Sequence, residues 1–272
     1  MCLDLPCARA ISGSNALPAV TAAALAAVKL GIPIAHVEGG IRLAIKNPEE
    51  INRRLVDHVS SLIFCPTRRA VQSLAEENIR NGVHFVGDTM LDATRMVAEL
   101  FKSHPHDFHD MSSAYAPYIL MTIHRAENTN DKRHFENILT YVQKEAGGQN
   151  IVFPAHPRTV QFCCNNNISL DPFRVIKPIG YFDMYSLLRG ASAVFTDSGG
   201  LQKEAFFHRV PCTLIYDESP WPETIAAGWN RLWTSVEYLP RKDCDEFGDG
   251  RASSRIAHIL YSYLANNSRE VD

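Results

Sequence analysis

Short apolar runs rich in β-branched and aromatic residues recur along this chain, and most are followed by apolar positions at helical spacing. Strands are predicted at 34–37, 62–65 and 84–86, then at 118–123, 151–153, 175–176, 193–196 and 212–216. The alanine-rich stretch 19–30 reads as a helix closed by Gly31 and Pro33. Pro48-Glu49-Glu50 opens a second helix with an apolar stripe at Ile51, Leu55 and Val59. A third starts at Pro66-Thr67 and carries Ala70, Val71, Leu74 and Ile79, and a fourth covers about 90–101. Further helices are expected over 134–145, through Met184, Leu187 and Leu188, after Gly200, and from Trp221 to Gly228. A closing helix has the inner stripe Ile256, Ile259, Leu260, Tyr263 and Leu264. Residues 1–15 look irregular and predict no strand.

Strands and helices alternating at this pace imply an α/β fold whose parallel strands are buried on both faces. The pattern stops between 103 and 117, where His104, His106 and His109 stand among proline and polar residues. No neighbouring element fixes those imidazoles, so a solvated connector is expected and no metal. Two doubly wound, Rossmann-like domains follow: a partial one over 1–102 and a second over 118–250. Residues 103–117 form the hinge, and 251–272 the closing helix and tail.

Composition narrows the setting. With 46% hydrophobic and 21% charged residues the chain describes a folded globular protein. A net charge of −3 without a basic run argues against nucleic acid or a membrane surface as partner. Seven cysteines with no C-x-x-C pair fit free thiols in a reducing compartment, and no apolar run reaches membrane-spanning length. A cytoplasmic location is the expectation.

Candidate chemistry collects where strands end. Asp197-Ser198-Gly199-Gly200 links a strand to a helix, so unpaired N–H groups and the helix dipole could hold an anion such as phosphate. Its glycines let a ligand approach the backbone. A Ser-capped turn with no ligand is the alternative. The tips His124-Arg125-Ala126-Glu127-Asn128 and His156-Pro157-Arg158 are expected on the same sheet edge, where open parallel sheets bind ligands. The first half has its own tip, His36-Val37-Glu38-Gly39-Gly40-Ile41-Arg42. Two such domains facing across a cleft would hold a ligand with an anionic end and a polar body.

These motifs resemble the non-hydrolysing UDP-N-acetylglucosamine 2-epimerase family. The resemblance also uses Pro48-Glu49-Glu50-Ile51-Asn52-Arg53, Phe64-Cys65-Pro66-Thr67, Gly87-Asp88-Thr89 with Asp92, the run 197–205, and Trp221-Pro222-Glu223 with Gly228. They stand in family order from about Ala22 to Leu232. The resemblance implies a GT-B-like pair of domains, the second binding UDP, and a UDP-sugar substrate with no cofactor. The sugar would be UDP-GlcNAc/UDP-ManNAc or a diacetamido uronic acid relative, used for surface polysaccharide. It implies proton removal at C2, departure of UDP to leave a glycal, and re-addition with a proton delivered to the other face. Glu38 and Glu49 match the acid/base carboxylates, and His124 the histidine near the diphosphate and sugar. Ser198, Gly199 and Gly200 match the diphosphate turn, Glu204 the acid on the ribose hydroxyls, and Arg53 an arginine near the site. Arg125, Glu127, Asn128 and His156 complete the expected substrate contacts. Family members are usually dimers, so a homodimer is expected. Helix-end roles remain the alternative for Glu49, Glu204 and His124.

Three departures bear on activity. Family members carry earlier strands before the alanine-rich helix that this sequence lacks, so an incomplete amino domain is expected. Where the family has a catalytic Gly-Asp-Thr, the sequence reads Gly13-Ser14-Asn15-Ala16. The loop from Arg42 to Pro48 is short, which is expected to shift Glu49 relative to Glu38; a displacement of ~1 Å can cost about 100-fold in rate. A truncated or degenerate copy, or a fragment of a longer gene product, with weak or no turnover is the resulting expectation. A non-catalytic UDP-sugar-binding remnant and a GT-B glycosyltransferase stay open as alternatives.

Overall fold

The computed structural model describes residues 9–12, 18–44, 47–108 and 110–267. Two compact units divide the chain. The first runs to Arg95 and takes up the chain again from Asp245, and the second is Met96–Cys244. Gly13-Ser14-Asn15-Ala16 and His109 fall outside the described residues.

The first unit is a parallel sheet of β1 (Arg9–Ser12), β2 (Ile34–Val37), β3 (Leu62–Cys65) and β4 (Val83–Phe85), in that spatial order. Right-handed crossovers are the rule for such units, and α1 (Pro18–Lys29), α2 (Pro48–Val59) and α3 (Arg68–Glu76) supply them here. Alternation along the strands sorts the core. Ile63 and Cys65 face Ala70 and Leu74 of α3, and Ile34 faces Ala24 and Val56. Ala35, Leu62 and Phe64 point to the other side, where Ile256 of α11 (Ala252–Asn267) covers them.

Two expectations need correction in this unit. Residues 9–12 form a strand, paired in register with β2 from Arg9↔Ile34 to Ser12↔Val37. The sequence Arg-Ala-Ile-Ser is too short and mixed to signal this; backbone pairing with β2 makes it a strand. Two of the three positions in the expected α2 stripe also face outward, with Ile51 50% and Leu55 44% exposed, while Val59 packs beside Ala24, Ile34 and Val56. The buried side of α2 is Glu50, Arg53, Val56 and Asp57, three of them charged.

The run Gly87-Asp88-Thr89 leads into α4 (Thr89–Ser103), which crosses the boundary between the units. Asp88 accepts from Met90 N (2.7 Å) and its own N–H reaches Phe247 O (3.0 Å). Gly87 has φ +91°, and a Cβ there would stand 2.9 Å from Phe247 O. Asp92 then accepts from Ala252 N (3.0 Å) and Ser253 N (2.7 Å), capping α11. The motif therefore fastens the returning chain to its sheet.

The second unit has six parallel strands in the order β10-β9-β8-β5-β6-β7. These are β5 (Tyr118–Thr122), β6 (Asn150–Pro154), β7 (Arg174–Ile176), β8 (Ala193–Thr196), β9 (Cys212–Leu214) and β10 (Asn230–Leu232). On one face Ile119, Met121, Phe153 and Phe195 pack against α6 (Lys132–Ala146) and α7 (Pro157–Asn166). On the other, Tyr118, Leu120, Val152 and Val194 pack against α8 (Tyr181–Gly190) and α9 (Gly199–Phe207). Short helices α5 (Ala126–Thr129) and α10 (Pro222–Ala226) complete the unit. The chain leaves β5 toward β7 on one side, then returns to build β8 to β10 on the other. The strand order therefore reverses between β5 and β8, the place where such sheets open a crevice at their carboxyl ends.

Replacing Asp92 by alanine removes both acceptors at the start of α11 and should cost about 1 kcal/mol. All three tryptophans lie in the second unit, so fluorescence will not report it. Faster amide hydrogen exchange across 252–267 is the expected readout, with Asp92→Asn closer to the unchanged protein.

Candidate functional site

At the reversal point two strand ends meet. The register pairs Thr122 with Thr196, and their hydroxyls bond at 2.6 Å. One residue beyond Thr196 the side chain of Asp197 is fully buried. It accepts from His124 N (3.0 Å), Arg125 N (2.8 Å) and Asn128 Nδ2 (3.0 Å), and His124 Nδ1 lies 3.0 Å from its other oxygen. Burial alone would push this carboxyl up. The hydrogen bond and charge of His124, followed by Asn128 and the Arg125 N–H, outweigh that and hold it below the ordinary carboxylate range. His124 shifts the opposite way: its bond to Asp197 raises its pKa, against burial and the nearby Arg125 charge.

Arg125 is fixed at three places. Its N–H serves Asp197, its Nε donates to Asp197 O (2.7 Å), and its guanidinium lies over the Tyr216 ring at 4.7 Å. The free end of that guanidinium stands beside the first turn of α9: Nη2 is 4.0 Å from where a Cβ of Gly199 would be. Ser198 caps this helix by accepting from Leu201 N (3.3 Å). The N–H groups of Gly199 and Gly200 have no acceptor within the helix, so a partial positive charge and a guanidinium share one small space. A polar recess lined by Arg125, Asp197, Gln202, Tyr216 and Glu218 adjoins it. Trp221 braces the turn, with Nε1 donating to Gly199 O at 3.1 Å.

The remaining expected residues of this unit lie on α9 and after the ends of β5 and β6. Asn128 is buried and links Asp197 to Ile215 O (3.2 Å). Glu127 is exposed in the first turn of α5. His156 caps α7 at the end of β6, its Nδ1 accepting from Arg158 N (3.2 Å). Glu204 lies one turn along α9; burial raises its pKa, and a hydrogen bond from Tyr181 and the Lys203 charge oppose the rise.

The first unit repeats the device on its own strand-end loop. Asp57, whose side chain is fully buried on α2, accepts from Gly40 N (3.1 Å) and Arg42 Nη1 (2.7 Å), and His36 Nδ1 lies 2.7 Å from it. Burial pushes the Asp57 carboxyl up; His36 and then Arg42 pull it further down, below the ordinary range. Gly39 allows this packing, since a Cβ there would stand 2.8 Å from Asp57 Oδ1 and collide with Ile63 Cγ2. Glu38 is buried with φ +64°, a conformation that costs on the order of 1 kcal/mol for a residue with a side chain.

From Arg42 a chain of ion pairs continues. Arg42 meets Glu77 (2.7 Å), Glu77 meets Arg54 (2.6 Å), and Arg54 meets Glu50 (2.8 Å). Glu50 meets the buried Arg53 (2.8 Å), which reaches Glu49 at 3.3 Å. Arg53 is thus occupied by two carboxylates of its own helix.

Comparison with known proteins agrees with these motifs. The family described as UDP-N-acetylglucosamine 2-epimerase matches residues 18–261. The chain belongs to the UDP-N-acetylglucosamine 2-epimerase family. It is 38% identical over 258 residues to a UDP-N-acetylglucosamine 2-epimerase homolog of Methanococcus maripaludis, covering 88% of this chain and 71% of that one. It is also 38% identical over 256 residues to the UDP-2,3-diacetamido-2,3-dideoxy-D-glucuronate 2-epimerase of Pseudomonas aeruginosa, with the same coverage. The crystal structure of Methanocaldococcus jannaschii UDP-GlcNAc 2-epimerase in complex with UDP-GlcNAc and UDP matches at TM-score 0.83 and 33% identity. That match covers 93% of this chain and 75% of that one.

In this epimerase-family chain the expected residues His124, Arg125, Asn128, Ser198, Gly199 and Gly200 come together at the β5–β8 edge. Of the two aspartates that organise the loops, Asp197 was read as part of the candidate turn without a role of its own, and Asp57 was not read as a site residue. Asp57 had a readable signal: Glu50, Arg53 and Asp57 are charged residues spaced i, i+3 and i+7, one face of a helix. Among the described residues no cluster of three or more His, Cys, Asp or Glu could hold a metal, and no helix is long and apolar enough to cross a membrane.

Asp57→Ala leaves Arg42, His36 and Gly40 N without their acceptor and should destabilise the first unit by about 3–5 kcal/mol. Because the folded Asp57 pKa is depressed, its contribution is fully present above the unfolded value near 3.9 and is lost as pH falls through the folded one. Hydrogen exchange of amides in 34–59 across an acid series should show the unchanged protein loosening toward the Asp57→Ala level only at low pH.

Proposed function

We propose that this chain inverts C2 of a UDP-linked 2-acetamido sugar. The observation that carries the reading is the turn 197–200 at the strand-order reversal. There the first N–H groups of α9 adjoin the Arg125 guanidinium, and the His124 ring is held by the neighbouring Asp197, which supports an anion site in a chain of the epimerase family. Ser198, Gly199 and Gly200 would hold the diphosphate, with Arg125 as counter-charge and Asn128 keeping the loop in shape. Glu204, whose pKa burial raises, would take the ribose hydroxyls. Glu127 and His156 would make outer contacts on the same edge.

The chemistry falls to carboxylates. One of Glu38 and Glu49 removes the C2 proton, the C1–O bond breaks, and UDP departs to leave a glycal. UDP oxygen then returns to C1 while the other carboxylic acid delivers a proton to the opposite face of C2. His124 would bond to the departing diphosphate, stabilising its charge. Arg53 acts here by holding Glu49, as their 3.3 Å contact supports.

Relatives named for UDP-GlcNAc and for a diacetamido glucuronate mark the two sugar classes to test. Cytoplasmic location and a homodimer belong to the same reading.

Titration with UDP should give measurable heat or NMR shifts in the second unit, and none at millimolar UDP would sink the binding claim. UDP-GlcNAc in deuterated water should take up deuterium at C2. Glu38→Gln and Glu49→Gln should each slow that exchange by about 10²–10⁴-fold while UDP still binds. A chain that binds UDP without any exchange would instead be a non-catalytic UDP-sugar binder. Product formed only with an acceptor sugar would select a glycosyltransferase.

A further inference from the structure

We propose that Asp197 is the positioning residue for His124, holding its Nδ1–H so that the charged ring presents Nε2–H to the anion. The inference rests on the reading of His124 as the diphosphate partner. Asp197 is fully buried and its oxygens accept from two backbone N–H groups, one side-chain amide and the imidazole. A loop latch needs only the backbone and amide bonds. The fourth contact differs, because it takes up the Nδ1 edge of a ring whose side chain is still 54% exposed. With Nδ1 turned to a carboxylate 3.0 Å away, the neutral ring carries its proton on Nδ1, and the protonated ring donates from Nε2 as well.

The surroundings favour the charged ring. Asp197, at the end of β8, attracts it, and Arg125, next along the chain, repels it. The first turn of α9 offers only Ser198 and glycine amides. His134 of α6 is spent on Asn128, with Nε2 3.0 Å from Asn128 Oδ1. The hydrogen bond to Asp197 is the strongest influence, so the ring titrates above the ordinary value. The proton on Nε2 then bonds to a diphosphate oxygen as the C1–O bond breaks. No proton need transfer, and the imidazolium charge offsets the charge that develops on UDP. A neutral ring held by Asp197 would instead present a lone pair to the phosphate and repel it.

The test is a pH titration of ¹⁵N-histidine protein by long-range ¹H–¹⁵N NMR, with His124→Gln assigning the ring. The unchanged protein should show His124 titrating above about 6.5, with its neutral form protonated on Nδ1. Addition of UDP should raise that pKa further. In Asp197→Asn the pKa should fall and both neutral tautomers should appear. The alkaline limb of kcat should move to lower pH, with about a tenfold loss at high pH for each unit the pKa falls, and KM should change less. A His124 pKa at or below 6.5 in the unchanged protein, or an Nε2-protonated neutral ring, overturns the proposal even if the variant does not fold. An unchanged His124 titration in a folded Asp197→Asn protein does so too. The NMR titration needs no turnover. A ring that titrates as expected in a protein without C2 exchange counts against the epimerase reading alone.

Discussion

A carboxylate taken out of water costs several kcal/mol unless donors replace its hydration, and that requirement shapes both ends of this chain's chemistry. Asp197 and Asp57 have fully buried side chains. Each can stay charged only if the loop at the end of a neighbouring strand folds so that its N–H groups and an imidazole Nδ1 point inward. In the second unit these donors come from His124, Arg125 and Asn128; in the first they come from His36, Gly40 and Arg42. The loop shapes are consequences of satisfying one buried charge. Glycines appear where that shape leaves no room, as at Gly39, or requires positive φ, as at Gly40 (φ +80°).

The sheet decides where the charge sits. Because the chain reverses direction of growth between β5 and β8, the loops leaving those strands diverge to opposite faces and open a space between them. The β5 loop brings His124 and Arg125 to this space, and the β8 loop brings the start of α9. The hydroxyl pair Thr122–Thr196 fixes the two strand ends in register one step before Asp197. Parallel packing, a buried acid and a helix N-terminus therefore act on the same few residues. None of them alone would distinguish an anion site from a capped turn.

Much of this was legible in the sequence, and the misses have physical reasons. Strands such as 62–65 and 193–196 were readable because both their faces are buried, which forces a continuous apolar run. Residues 9–12 were not, since four mixed residues form a strand only when β2 lies alongside. The α2 stripe was misread at Ile51 and Leu55 because hydrophobic periodicity assumes that the buried face is apolar. Here the buried face carries Glu50, Arg53 and Asp57, and Ile51 and Leu55 are left outside. Strand tips were recognised from their glycines and histidines. Which atom bonds which was not, because Asp57 lies 21 residues from His36, and Asp197 lies 73 from His124.

The short segment from Arg42 to Pro48 suggested that Glu49 would be displaced from Glu38, on the assumption that loop length sets their separation. The ion pairs add a second constraint. Glu38 belongs to the loop held by Asp57, and Asp57 lies on the helix whose first turn carries Glu49. Leu43 N also donates to Glu50 Oε2 at 3.2 Å, tying the loop's far side to the same first turn. The links through Arg54 and Glu77 are partly exposed, with Arg54 44% accessible, and each contributes little. Those through Asp57, Arg42, Arg53 and Glu50 are buried or nearly so, where geometry is costly to disturb. The loop that carries Glu38 is therefore tied to α2 at two places, to Asp57 through Gly40 and Arg42 and to Glu50 through Leu43. A shift of that loop along α2 would have to break those ties to buried carboxylates, whatever the loop's length.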